Sequence, residues 1–155
     1  MQHPNKEIMR RAIQIAKDNY KTGGHAVAAI ITKDDKIIAK AYTTVEKNQD
    51  ATCHAEINVI RLASKELNSK YLQNCYLYST FEPCPMCAAA CVWARIKGIV
   101  YGANIEDSNK KYPQRINISC EKVINKGDPQ ILLIEEFMRE ECKPLLNLGI
   151  ERKNA

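Results

Sequence analysis

The sequence is poor in chain-breaking residues and in large aromatics. Of its 155 residues only 6 are glycine, 6 proline, 1 tryptophan and 2 phenylalanine. That scarcity excludes a collagen-like repeat and a Pro/Gly-rich low-complexity chain. No apolar run approaches the ~18 residues of a membrane span, so no membrane partner is expected. The first residues, Met1-Gln2-His3-Pro4-Asn5-Lys6-Glu7, lack the apolar stretch of an export signal, and a cytoplasmic location is expected. There is also no block of like charge. The net charge of +5 comes from 23 Lys/Arg against 18 Asp/Glu. It divides as +3 over residues 1–50, +2 over 51–100 and zero over 101–155. Without a basic cluster, a nucleic-acid partner is less expected than a small molecule.

What is present is a globular composition, 45% hydrophobic and 26% charged, at a length that suits one domain over residues 1–155. The unusual feature is 7 cysteines: Cys53, Cys75, Cys84, Cys87, Cys91, Cys120 and Cys142. An odd count without an export signal argues against a disulfide framework and toward metal or catalysis. Cys84, Cys87 and Cys91 fall within eight residues, so the chemistry is sought there.

Apolar residues at Ile8, Ala12, Ile13, Ala16 and Tyr20 predict a helix over 5–21, stopped by Gly23-Gly24. Residues 26–32 and 37–42 read as a hairpin across Lys33-Asp34-Asp35-Lys36. Residues 43–52 are polar and irregular, and a helix follows to about Leu67. Residues 75–80 read as a buried strand, Pro83-Cys84-Pro85 opens a helix to about Arg95, and residues 97–102 form another strand. Further on come a short helix over 119–126 capped by Ser119, a strand over 130–135 and a helix over 138–148. Pro144 lies inside that last helix and is expected to kink or end it. The order implies a layered α/β domain with parallel pairing from residue 75 onward.

The chemistry lies in Cys53-His54-Ala55-Glu56 and, 26 residues later, Pro83-Cys84-Pro85-Met86-Cys87. This is H-x-E followed by P-C-x-x-C, the zinc deaminase signature. Zinc takes imidazole nitrogen and thiolate sulfur, which His54, Cys84 and Cys87 supply. A structural zinc takes four protein ligands, whereas a catalytic one keeps a position for water. Glu56, two residues beyond His54, suits the proton transfers of such a site without being a ligand. Pro83 is expected to fix the entry into the second helix.

Singly, each of these residues has an ordinary alternative. His54 would be a polar residue at a helix start, Glu56 a complement to the helix dipole, and C-x-x-C a redox pair or half of a structural site. Their conjunction, in order, each pair opening a helix, favours catalysis. Cys91 shares the face of Cys87 but stands ~6 Å further along the axis, too far to complete a tetrahedron. It is read, with Cys53, Cys75, Cys120 and Cys142, as a small hydrophobe.

Beyond the five residues, the stretches Thr52–Ile57, Thr80–Ala88 and Val92–Ala103 resemble the cytidine and deoxycytidylate deaminase superfamily. Glu82 and Trp93-Ala94-Arg95 are most similar to the guanine deaminase branch, with the tRNA adenosine deaminases next. The resemblance implies a three-layer α/β/α fold, a five-stranded mixed sheet between helices, and one Zn2+ per chain at two helix N-termini. It also implies homodimers or higher homo-oligomers. Glu56 would be the catalytic proton carrier, and the Ala55 N–H would hold a ring atom. Thr43 occupies the place of the family's base-holding asparagine. A hydroxyl there offers less than the amide's donor–acceptor fork, so the base edge is expected to be read differently. Trp93 is expected to line the pocket or pack in the core, and His25 to contact substrate or face solvent.

The implied reaction is hydrolytic loss of an exocyclic amine from a free nucleobase or nucleoside. A guanine-like purine comes first, and a pyrimidine such as cytosine is also within the class. Adenosine-to-inosine deamination of tRNA is the alternative. A catalytically silent zinc-stabilised binding subunit is the rival from another class, and Glu56 argues against it.

Overall fold

The structure is a computed structural model that describes residues 2–108 and 115–153. Its centre is a five-stranded sheet in the order β2-β1-β3-β4-β5. The strands are β1 (Ala28–Lys33), β2 (Lys36–Tyr42), β3 (Cys75–Phe81), β4 (Gly98–Ala103) and β5 (Leu132–Ile134). The hairpin β1–β2 is antiparallel, and so is β1 against β3. β3–β4 and β4–β5 are parallel, as the strand–helix–strand alternation predicts.

Six helices accompany the sheet among the described residues: α1 (Lys6–Lys21), α2 (Val45–Asn48), α3 (Ala55–Leu67), α4 (Pro85–Trp93), α5 (Cys120–Ile124) and α6 (Arg139–Lys153). Strand alternation divides the core in two. Ala29, Ile31, Leu77 and Ile99 face α3, α4 and α5, whose Val59, Ala63, Ala88, Cys91 and Ile124 complete that cluster. Ala28, Ile30, Tyr78 and Val100 face the other way, onto Met9, Ala12 and Ile13 of α1 and Leu145 and Leu146 of α6. The result is three layers, helices on both faces of a mixed sheet.

Two expectations need correcting. The irregular stretch 43–52 contains the single turn α2. Pro144 does not end the last helix, which runs from Arg139 to Lys153 with the proline inside. An interior proline costs about 3 kcal/mol. Burying one leucine returns about 1.5–3 kcal/mol. Leu145 and Leu146, each 3% exposed, flank the proline with buried Cys142 and so outweigh it. The α6 layer also approaches closely at Gly102, where a Cβ would collide with the Cys142 sulfur.

No helix among the described residues is long and apolar enough to cross a membrane.

Candidate active site

The two helices on one face present their N-termini to each other. His54 is the N-cap of α3 and Cys84 the N-cap of α4, both with extended backbone. N-caps are usually Ser, Thr, Asp or Asn, whose oxygens bind the free N–H groups of the first turn. Neither His54 nor Cys84 makes such a bond. Each forgoes about 1 kcal/mol of capping and turns its side chain to the other. Pro85, not Pro83, is the first helical residue of α4; its missing N–H is one that would have had no partner there.

The side chains converge. His54 Nδ1 lies 3.6 Å from Cys84 Sγ and 3.5 Å from Cys87 Sγ, and the two sulfurs are 3.7 Å apart. Zinc bonds of ~2.3 Å to sulfur and ~2.05 Å to nitrogen, at tetrahedral angles, place two sulfurs ~3.8 Å apart and sulfur and nitrogen ~3.6 Å apart. The three atoms therefore already stand as three corners of a zinc tetrahedron. The donor set is right for zinc, and the fourth corner is left without a protein ligand among the described residues. Contact with Cys87 and with His54 holds the Cys84 thiol down to about 4 against its partial burial, so it is readily the thiolate a metal needs.

Glu56 stands beside this group, on the first turn of α3 and only 4% exposed. Burial pushes its carboxyl pKa up; Cys87, His54 and Ser79 pull it back. Ser79 on β3 places its hydroxyl 2.9 Å from Glu56 Oε1. Ala55, fully buried, is the first residue of α3, so its N–H has no acceptor within the helix.

The other candidates are not gathered so tightly. Thr43 is 9% exposed and its hydroxyl donates to the Cys53 carbonyl at 3.4 Å, which ties it to the residue before His54. Trp93 neither packs in the core nor joins the metal group. It ends α4, a full helix length from Cys84, and is 83% exposed. His25 lies in the α1–β1 connection with its ring 3.8 Å from Glu46. Cys91 is fully buried in the core and outside the metal group, with Cys53, Cys75, Cys120 and Cys142 buried likewise.

Three supporting residues carry no signal in spacing. Asn58, one turn after His54, donates through its amide to Tyr42 O and Thr44 Oγ1, each at 2.9 Å, fixing the loop that delivers His54. Buried Asn19 bridges the carbonyls of His25 and Thr43 at 2.7 and 3.2 Å. Ser79 was visible only as a strand residue. A polar residue inside an apolar strand was the one available hint.

This fold, with a His/Cys/Cys zinc group at two helix N-termini and a buried glutamate beside it, defines a zinc-dependent hydrolase of the deaminase type. The chain belongs to the cytidine and deoxycytidylate deaminase zinc-binding family, which matches residues 2–103. It is 43% identical over 96 residues to a tRNA-specific adenosine deaminase of Aquifex aeolicus, covering 62% of this chain and 64% of that one. The match thus spans less than two thirds of that relative. It is 39% identical over 105 residues to the guanine deaminase of Bacillus subtilis, covering 67% of each. A solved structure described as an A-to-I editing tRNA:A34 deaminase superposes with a TM-score of 0.78 at 27% identity. That superposition covers 92% of this chain and 100% of the other.

Proposed function

We propose that the chain replaces the 6-amino group of an adenine in RNA, of the tRNA anticodon-loop type, with oxygen and releases ammonia. The observation that carries the reaction type is the buried Glu56 carboxylate beside three ligand atoms spaced for a tetrahedral ion. His54, Cys84 and Cys87 would hold a zinc ion, which when bound would supply a water acidic enough to serve as nucleophile near neutral pH. Glu56 accepts the proton of the attacking water, gives one to the ring nitrogen and passes one to the departing amine. Water is consumed and ammonia leaves, so no oxidant or reductant is needed. The Ala55 N–H, in the same turn, orients the ring.

Two observations support an RNA substrate over the free base that the sequence put first. The likeness to the tRNA:A34 deaminase covers 92% of this chain, whereas that to the guanine deaminase of Bacillus subtilis covers 67%. The fold also assembles cations that look dispersed in sequence. Arg95 lies over the Tyr71 ring at 3.9 Å and Lys70 at 5.0 Å, with exposed Trp93 two residues from Arg95. Cations with exposed aromatics suit phosphates and unstacked bases. The second reading is free guanine, favoured by the identity to the Bacillus subtilis guanine deaminase.

The test is incubation of the zinc-loaded protein with an anticodon stem-loop RNA bearing adenine at the wobble position and, separately, with guanine. Inosine in the RNA, abolished by Glu56→Gln and weakening steeply with salt, is the expected result. Ammonia from guanine with no inosine selects the second reading. Turnover of neither rejects both.

A further inference from the structure

Glu82 is a buried carboxylate that the metal group does not use. It is 5% exposed and lies two residues before Cys84. Oε1 accepts from the Ile105 N–H at 3.1 Å, and Oε2 accepts from the Cys120 N–H at 2.9 Å. Those N–H groups begin a single 3-10 turn (Ile105–Asp107) and α5. Neither has an acceptor within its own turn. One carboxylate thus satisfies two otherwise orphaned donors that are fifteen positions apart in the chain. The Glu82 N–H adds a third tie, donating to Ala103 O at 2.7 Å.

Both tied points belong to segments that border the elements carrying the metal group. Ile105 follows the carboxyl end of β4, which pairs with β3, whose own carboxyl end leads into Cys84. Where neighbouring strands run parallel, ligands bind outside their carboxyl ends. Cys120 packs in the same core cluster as Cys91 and Ala88 of α4, and Glu82, Glu56 and Cys84 all act electrostatically on its thiol. The outer side of the same stretch is held by α6, where Arg139 grips Asp107 through two bonds of 2.9 and 2.8 Å.

We propose that Glu82 is a positioning residue, whose two carboxylate oxygens hang Ile105 and Cys120 on the metal loop and so set the wall against which substrate lies. The proposal rests on the deaminase reading above. The residue type follows from the geometry. A carboxylate accepts twice, whereas glutamine accepts once and turns an NH2 toward an N–H. Aspartate keeps both acceptors but is one methylene shorter.

The experiment compares wild type with Glu82→Gln and Glu82→Asp. The probes are the anticodon stem-loop RNA and guanine, and KM and kcat are taken on whichever the wild type turns over. Zinc content and amide exchange at Ile105 and Cys120 are measured on the same samples. Loss of a hydrogen bond to a charged group is expected to raise KM ~10-fold or more and to speed exchange at both amides by a similar factor. One zinc per chain is retained and kcat stays within about threefold, because only substrate placement changes. Glu82→Asp falls between the two and carries the test if Glu82→Gln does not fold. Faster exchange with unchanged KM makes Glu82 merely structural and overturns the proposal. Unchanged exchange, or loss of zinc from the folded variant, overturns it as well. If the wild type turns over neither probe, the deaminase reading fails by itself. Dissociation constants for the two probes then replace KM, and equal values in wild type and variants, or no binding of either probe, overturn the wall.

Discussion

The Ser79 hydroxyl lies 2.9 Å from Glu56 Oε1 and 2.6 Å from the Phe81 carbonyl oxygen. Its single proton can go to either. It donates to Glu56 when that group is a carboxylate. It turns to Phe81 and accepts from Glu56 when that group is protonated. A residue that alternates between two protonation states therefore keeps a partner in both. The bond from Ser79 also opposes the upward push of burial on the Glu56 carboxyl. Removing it raises that pKa further. Ser79→Ala is expected to move the acid limb of the kcat/KM profile to higher pH and to cost about tenfold at the optimum. A pH profile superposable on the wild type would show that Ser79 does not touch the proton transfers.

Metal and fold should fail together at Cys87 and separately at Cys91. Cys87→Ser removes one of three ligand atoms spaced for the ion. Because the metal binds the folded state alone, its loss is a loss of stability. The variant is expected to purify with well under one zinc per chain and to melt several degrees lower. Cys91→Ala keeps the metal group whole and opens only a small hole in the core. Its cost should be about 1 kcal/mol with zinc at full stoichiometry. Zinc loss from Cys91→Ala would mean that the ligand set is wrong.

Thr32, the penultimate residue of β1, is fully buried, and its hydroxyl has no hydrogen-bond partner among the described residues. A buried hydroxyl left unpaired costs about 1–3 kcal/mol. Valine fills the same volume and suits a strand at least as well. Thr32→Val is expected to raise stability by about 1 kcal/mol, or ~2–4 °C in Tm for a chain of this size. A lower Tm would reveal a partner for the hydroxyl.

The metal group was legible in the sequence because its constraint is local. H-x-E and P-C-x-x-C each fit within one helical turn, and a helix N-terminus positions them whatever the rest does. The strands were legible through alternation, and α1 through its 3.6-residue period. What was not legible depends on contacts far apart in the chain. Pro144 reads as a break until Cys142 before it and Leu145 and Leu146 after it are seen buried in one cluster. Trp93 reads as pocket or core because a large apolar residue is usually inside, and nothing local shows that α4 ends at the surface. Thr43 reads as a loop residue, but its backbone N–H is held by Val27 O and its hydroxyl by Cys53 O. Glu82 reads as a family marker; the two N–H donors it accepts from lie 23 and 38 residues away. Lys70 and Arg95 read as scattered charge until they meet on one tyrosine.

Asp107 gives the clearest dependence on pH. Its side chain is 6% exposed and meets Arg139 in a two-bond fork, while its backbone and that of Asn104 close a reciprocal cap. The Arg139 bonds, with the Asn104 N–H, hold the Asp107 carboxyl below its ordinary value of 3.8. A carboxylate whose pKa is depressed by folding stabilises the native state above its unfolded value. That contribution is lost as pH falls through the folded value. Asp107→Asn should therefore be less stable than the wild type at pH 7 and pH 5. The difference should begin to shrink once pH drops below about 4 and vanish only below the depressed folded value, where both chains carry a neutral group there. Urea midpoints at matched pH would measure it. Arg139→Lys keeps the charge but not the fork, and should recover part of the difference at neutral pH. A gap between wild type and Asp107→Asn that stays constant down to the acid transition would mean that the ion pair is not what holds this turn to α6. The stabilisation would then come from the cap bonds at Asn104, which asparagine preserves only in part.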